Sequence, residues 1–238
     1  DVFPSMEWVK ENLSPEYYLQ CNLNDQIWAV GIPDPPGATG ILVNVDHLNE
    51  AGLAVEKAFV DTDQLIDYAK KLAQYDTNGD LIRSGLSFQE SNDPTYLLSY
   101  IADQGGKCWD NDKQVFTFQI PEAKNALQFF YDLFFVHKVD SINMPTTGDA
   151  LVQNLASMAF MWPEYLPFTE ITYPDMKFDF IMKPAFVKGQ KPLFSHTDTW
   201  DLLMPSYVAG EKKEAAVKYL QYLASAEGQL VFLEENHG

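Results

Sequence analysis

Residues 42–53 read LVNVDHLNEAGL, and within that stretch a strand gives way to a helix. The apolar run ILV at 41–43 suits a buried strand. Asn44 then offers a side-chain oxygen to cap a short helix through HLNEAGL, and Gly52 offers the stop. Upstream, QIWAVGI at 26–32 is a second apolar strand, ended at once by PDPPGATG, whose prolines and glycines form a loop.

Downstream the same alternation continues. Thr62 is placed to cap a helix in which Leu65, Ile66, Ala69, Leu72 and Ala73 recur at helical spacing. DTNGD at 76–80 is turn chemistry, and LIRSGLSF reads as a strand. PTYLLSYIADQGG is a helix with a glycine-pair stop, and VFTFQI at 115–120 a strand. Pro121 opens a helix with Ala123, Leu127, Phe130 and Phe134 on one face. A helix over 148–156 and the strand MAFM at 158–161 follow. KFDFIMKP and TWDLLMP are strands, EKKEAAVKYLQYLAS is an amphipathic helix, and Ser225 is placed to cap a last one. Strands alternating with helices predict an α/β fold with parallel pairing.

The 34 acidic residues against 16 basic ones give a net charge of −18, which argues strongly against a nucleic-acid or anionic-membrane partner. No apolar run reaches the roughly 18–20 residues that cross a bilayer. Asp1 opens a polar segment rather than a signal peptide, so any targeting sequence is expected to lie outside this chain. Cys21 and Cys108 lack CxxC spacing, which argues against zinc and leaves two free thiols or one disulfide open. HExxH, GxSxG and a phosphate-cradling glycine loop are missing, and the four histidines lack metal-ligand spacing. Neither a metal nor another cofactor is expected. DTNGD is half of a calcium loop, but Leu81 stands where the pattern needs glycine, so a surface turn is the better reading.

The stretch with most chemistry is FMWPEYLPF at 160–168. Its two prolines predict an irregular turn, not a helix, carrying Trp162, Glu164 and Tyr165. Carboxylates near aromatics recur at Asp34, Glu90, Asp93 and Asp198, the last close to Trp200. Such groups suit a glycosidase pair, a sugar-binding cleft or plain solvated surface; the residue types alone leave all three open.

The order of segments is more specific. LVNVDHLNEAGL resembles the "YNKDLFKEAGL" block of the extracellular solute-binding proteins of ABC sugar importers, the family of maltose-binding protein. ASMAFMWPEY resembles that family's "AAM…GPW" segment, TWDLLMP its "GGWGLAIP" strand, and EKKEAAVKYLQYLASAEGQ its "AAWEFLKFLTSPEGQ" helix pair. The series runs in family order over nearly all of residues 20–238. Asp63, Asn154-Leu155 and Asp198-Thr199 depart from the family pattern, and the last two are expected to flank the cleft and bear on specificity.

The resemblance implies a two-lobed periplasmic-binding-protein-like (type II) fold with a hinge, incomplete at both termini. Residues 1–36 and 195–238 would belong to the first lobe and 37–194 to the second. It implies a monomeric, non-enzymatic carrier in the periplasm or outside the cell, on a lipoprotein anchor in some members, handing a small carbohydrate to ABC permease subunits without spanning the membrane. Carried onto this sequence, the ligand-binding residues are Asp34, Gln89, Asp93, Tyr96, Trp162, Glu164, Tyr165, Asp198 and Trp200. The alternatives are a glycoside hydrolase using Glu164 and Asp198, or a carrier of a cationic or polyol ligand.

Overall fold

The alternation of side chains along Gly40–Asn44 (β4) builds two cores on the two faces of one sheet. In the computed structural model, which describes residues 7, 22–23, 26–33, 40–88, 94–192, 199–228 and 230–231, every residue of β4 is buried. Ile41 and Val43 face one cluster and Leu42 the other, as the two-residue period of a strand requires. Each fully buried Leu or Ile here contributes about 1.5–3 kcal/mol by leaving water.

β4 lies between Met158–Met161 (β9) and Phe178–Met182 (β10), and both neighbours run antiparallel to it. This corrects the expected parallel pairing. Among the described residues, parallel pairing occurs only in bridges at the sheet margins, where Ser84 and Ser87 pair with Ala156 and Ala159, and Ala58 with Met182.

The helices follow β4 in order. Asn44 accepts from the backbone N–H of His47 at 3.1 Å and caps α1 (Val45–Glu50); Gly52 ends the turn at φ 67°. The cap of α2 (Thr62–Leu72) is Asp61, one residue before the expected Thr62; its carboxylate accepts from Gln64 N at 2.9 Å. The short hairpin β5 (Gln74–Tyr75) and β6 (Leu81–Arg83) closes on Asp76, which accepts from the backbone N–H groups of Asn78 and Asp80. Gly85, just beyond, has no space for a side chain because the Ala69 carbonyl of α2 lies against its Cα.

Next come α3 (Thr95–Asp103), the hairpin β7 (Trp109–Asp110) with β8 (Val115–Phe116), and α4 (Pro121–Phe135). Pro121 does occupy the first turn of α4. The buried face, however, is Ala123, Ala126, Phe129, Phe130 and Leu133, and the expected Leu127 is exposed. β8 is shorter than VFTFQI suggested. α5 (Thr147–Val152) precedes β9, and α6 (Tyr165–Thr172) follows it.

The chain divides into two compact units, Asp1–Pro36 with Thr197–Gly238, and Gly37–His196. All elements from β4 to β10 belong to the second. In the first, β1 (Asn22–Leu23) pairs with β2 (Gln26–Ile27), and β3 (Val30–Pro33) pairs antiparallel with β11 (Thr199–Leu202). α7 (Gly210–Leu223) completes it, and Ser225 Oγ beyond accepts from Gly228 N at 3.2 Å as a helix cap would. Among the described residues, no helix is long and apolar enough to cross a membrane.

Candidate functional site

β9 ends at Met161, and the chain turns tightly before entering α6. Tyr165 N donates to the Trp162 carbonyl at 3.2 Å and Leu166 N to that of Pro163 at 3.0 Å. The prolines therefore do not keep the stretch irregular. Pro163 lies in the turn and Pro167 in the first turn of α6, where a missing N–H breaks no intrahelical bond.

Trp162 is half-buried and packs on the cluster formed by Leu42, Ala150, Leu151, Ala156, Ala159 and Met161. Its ring tilts onto Tyr96 at 5.8 Å between centroids. Tyr96, 1% exposed, stands edge-on to Phe160 at 5.0 Å and to Phe88 at 6.3 Å. Phe88 in turn stacks on Phe130 of α4 at 3.8 Å. One continuous set of rings thus runs from the core to Trp162. The preference of aromatic pairs for edge-on and offset contacts fixes its geometry.

The backbone at Phe88 is held as firmly as its ring. Its N–H donates to Asp140 Oδ2 at 2.9 Å, while Asp140 Oδ1 accepts from Ser84 Oγ at 2.6 Å and from Ser141 N at 2.9 Å. Burial pushes the Asp140 carboxyl above its ordinary range, against the pull of those three donors.

Two of the sequence-predicted residues, Trp162 and Tyr96, are thus brought into contact. Glu164 and Tyr165 are half-buried on the same turn. Gln89 and Asp93 lie outside the described residues, between Phe88 and Pro94. Asp34 and Asp198 lie outside them as well. Trp200 is described only in its backbone, paired with Ile32 between β11 and β3.

Asn154 is the other residue for which the sequence suggested a place beside the cleft. It precedes β9 in a left-handed conformation (φ 58°), and its side-chain oxygen accepts from Asn44 Nδ2 at 3.3 Å. It therefore stands at the Ser157 end of β9, the length of the strand away from Trp162. At that same end His47 Nδ1 and Ser157 Oγ share a 3.1 Å hydrogen bond, with both residues buried. Sequence reading missed this pair; its only signal was Asn44, read as a cap. A fully buried serine is not presented as a nucleophile.

Among the described residues, no three His, Cys, Asp or Glu side chains are grouped to hold a metal ion. Cys108 is a free thiol whose pKa burial raises, and Cys21 lies outside the described residues.

The family model for bacterial extracellular solute-binding protein matches residues 18–230. No curated protein matches the chain. Among solved structures, an ABC transporter solute-binding protein from Thermotoga lettingae bound with α-D-tagatose is similar at 23% identity and TM-score 0.66, over 99% of this chain and 61% of that one. The maltose/maltodextrin-binding domain of Bdellovibrio bacteriovorus, bound to maltotriose, matches at 22% identity and TM-score 0.65, over 96% of this chain and 60% of that one. A solute-binding protein from Agrobacterium vitis with bound D-mannitol matches at 18% identity and TM-score 0.68, over 94% and 54%. The chain spans less than two thirds of the length of each.

Proposed function

This chain belongs to the bacterial extracellular solute-binding proteins, and from that premise we propose that it captures a carbohydrate for an ABC importer. The observation that carries the reading is the turn after β9. There Trp162, seated on Tyr96, stands two residues from the carboxylate of Glu164. A flat ring stacks on the apolar face of a pyranose, and a carboxylate accepts strong hydrogen bonds from its hydroxyls. Tyr96 is assigned to the layer beneath, where it holds the Trp162 ring rather than meeting the ligand.

Phe88, latched by Asp140, sets the start of the segment that carries Gln89 and Asp93, and those two are assigned to the same ligand. Asp34, Asp198 and Trp200 are assigned to a carbohydrate ligand as well. The captured sugar would be released to permease subunits outside the cytoplasmic membrane, with closure of the two lobes as the step the ligand stabilises. Polyols are the second ligand class, in view of the mannitol-bound structure with a similar fold.

Titration calorimetry with maltotriose, D-tagatose and D-mannitol tests the reading. Heat of binding with at least one of them is expected. None with any sugar or polyol of an extended panel would overturn it.

A further inference from the structure

Tyr165 adjoins Trp162 and Glu164, but its ring is turned toward α5. A Cβ built on Gly148, in the first turn of α5, would overlap Tyr165 Oη and lie 2.9 Å from its Cζ. The ring also meets Phe168, one turn along α6, at 5.2 Å between centroids. Tyr165 also packs on the cluster that contains Ala150 and Leu151 of α5. The phenol therefore spans the gap between the two helices that flank β9, and Gly148 is the residue whose lack of a side chain admits it.

The turn between Met161 and Tyr165 has little freedom of its own. Its upstream end is fixed by the β9 ladder, in which Met161 pairs with Gly40. Its downstream end is the start of α6, whose distance from α5 is set by the Tyr165 ring on Gly148. We infer that Gly148 is a positioning residue for the ligand-binding turn, acting through Tyr165 on the placement of Trp162 and Glu164. Tyr165 accordingly serves as a strut between α5 and α6, and the ligand is gripped by its neighbours. This inference rests on the carbohydrate-capture reading and deepens it.

A methyl group at position 148 must push the phenol outward, because the clash is with the far end of a side chain and not with backbone. The expected result is a shifted turn on an intact fold. Calorimetry on the full chain, with whichever of maltotriose, D-tagatose or D-mannitol the wild type binds, should show Gly148→Ala weakened on the order of tenfold, as for coupled residues in contact. Thermal unfolding should be shifted little. Removing the hydroxyl in Gly148→Ala/Tyr165→Phe relieves the worst overlap and should recover part of that loss. Tyr165→Leu, which empties the seat without touching position 148, should also weaken binding.

Wild-type affinity in Gly148→Ala overturns the inference. So does a loss that Tyr165→Phe leaves unchanged, or, should Gly148→Ala fail to fold, wild-type affinity in Tyr165→Leu. A wild type that binds no probe is a separate result. It removes the carbohydrate-capture reading and this inference with it.

Discussion

Lys183 Nζ donates to Asp103 Oδ2 at 3.0 Å, and neither side chain reaches solvent. The same carboxylate oxygen accepts from Phe186 N at 3.0 Å, and the ammonium lies 4.6 Å from the centre of the Tyr100 ring. The contact joins the last residue of α3 to the segment that leaves β10. Removing one partner strands the other charge in the core, so Lys183→Ala is expected to cost about 3–5 kcal/mol of stability. Replacing both with well-packed apolar residues should cost less than the single change. Urea unfolding of the single and double variants makes the comparison.

Asp140 is the second buried anchor. Its carboxylate accepts from Ser84, Phe88 and Ser141. Asp140→Asn keeps the shape but turns an acceptor into a donor that faces other donors. An expected loss of about 1–3 kcal/mol follows from the desolvated groups left unpaired. Because Phe88 leads into the segment with Gln89 and Asp93, amide exchange at Phe88 should also quicken in this variant. Chemical denaturation and hydrogen exchange check the two outcomes.

His47 gives a pH dependence with a defined sign. Burial, and then the nearby positive charge of Arg83, hold its imidazole below the ordinary value of 6.5, against smaller upward pulls from Glu50 and Asp46. As pH falls, the unfolded chain takes up the proton first. The contribution of His47 is therefore fully present above about pH 6.5 and is lost as pH falls through the folded-state value. Tm should drop more steeply on acidification from about pH 7 to about pH 5 in the wild type than in His47→Gln. Equal slopes would sink the assignment.

Trp162→Ala should weaken carbohydrate binding by about 1–3 kcal/mol, the range for a stacked aromatic anchor. Trp162→Phe keeps a ring over Tyr96 and should retain more of the affinity. Calorimetry at one temperature separates the two. Equal affinity in all three proteins would place the ligand elsewhere.

Local chemistry was legible in the sequence wherever one residue decides the outcome. Asn44 as a cap, Gly52 as a stop, Pro121 at a helix start and the DTNGD turn each act on neighbours a few positions away. The face of α4 was not legible, because Leu127, Phe129, Phe130, Leu133, Phe134 and Phe135 spread over an apolar arc too broad for periodicity to choose the buried part of it. The pairing direction of β4 was not legible either, since a fully apolar strand suits a parallel or an antiparallel centre. Of the candidate site, the order of motifs pointed to Trp162 and Tyr96. The anchors beneath it join residues 80 apart in Asp103–Lys183 and 52 apart in Phe88–Asp140, with no local pattern to announce them.

The tight entry into α6 has a consequence for what the turn refuses. A helix start usually presents unoccupied backbone N–H groups, and these attract phosphate. Here Tyr165 N and Leu166 N are spent on the carbonyls of Trp162 and Pro163, Pro167 has no N–H at all, and Phe168 N already serves the Glu164 carbonyl. No amide of that first turn is left over for an anion, and the side chain at its head is itself a carboxylate. The backbone of this turn thus has no spare donor to offer a phosphate, and the Glu164 carboxylate beside it would repel one.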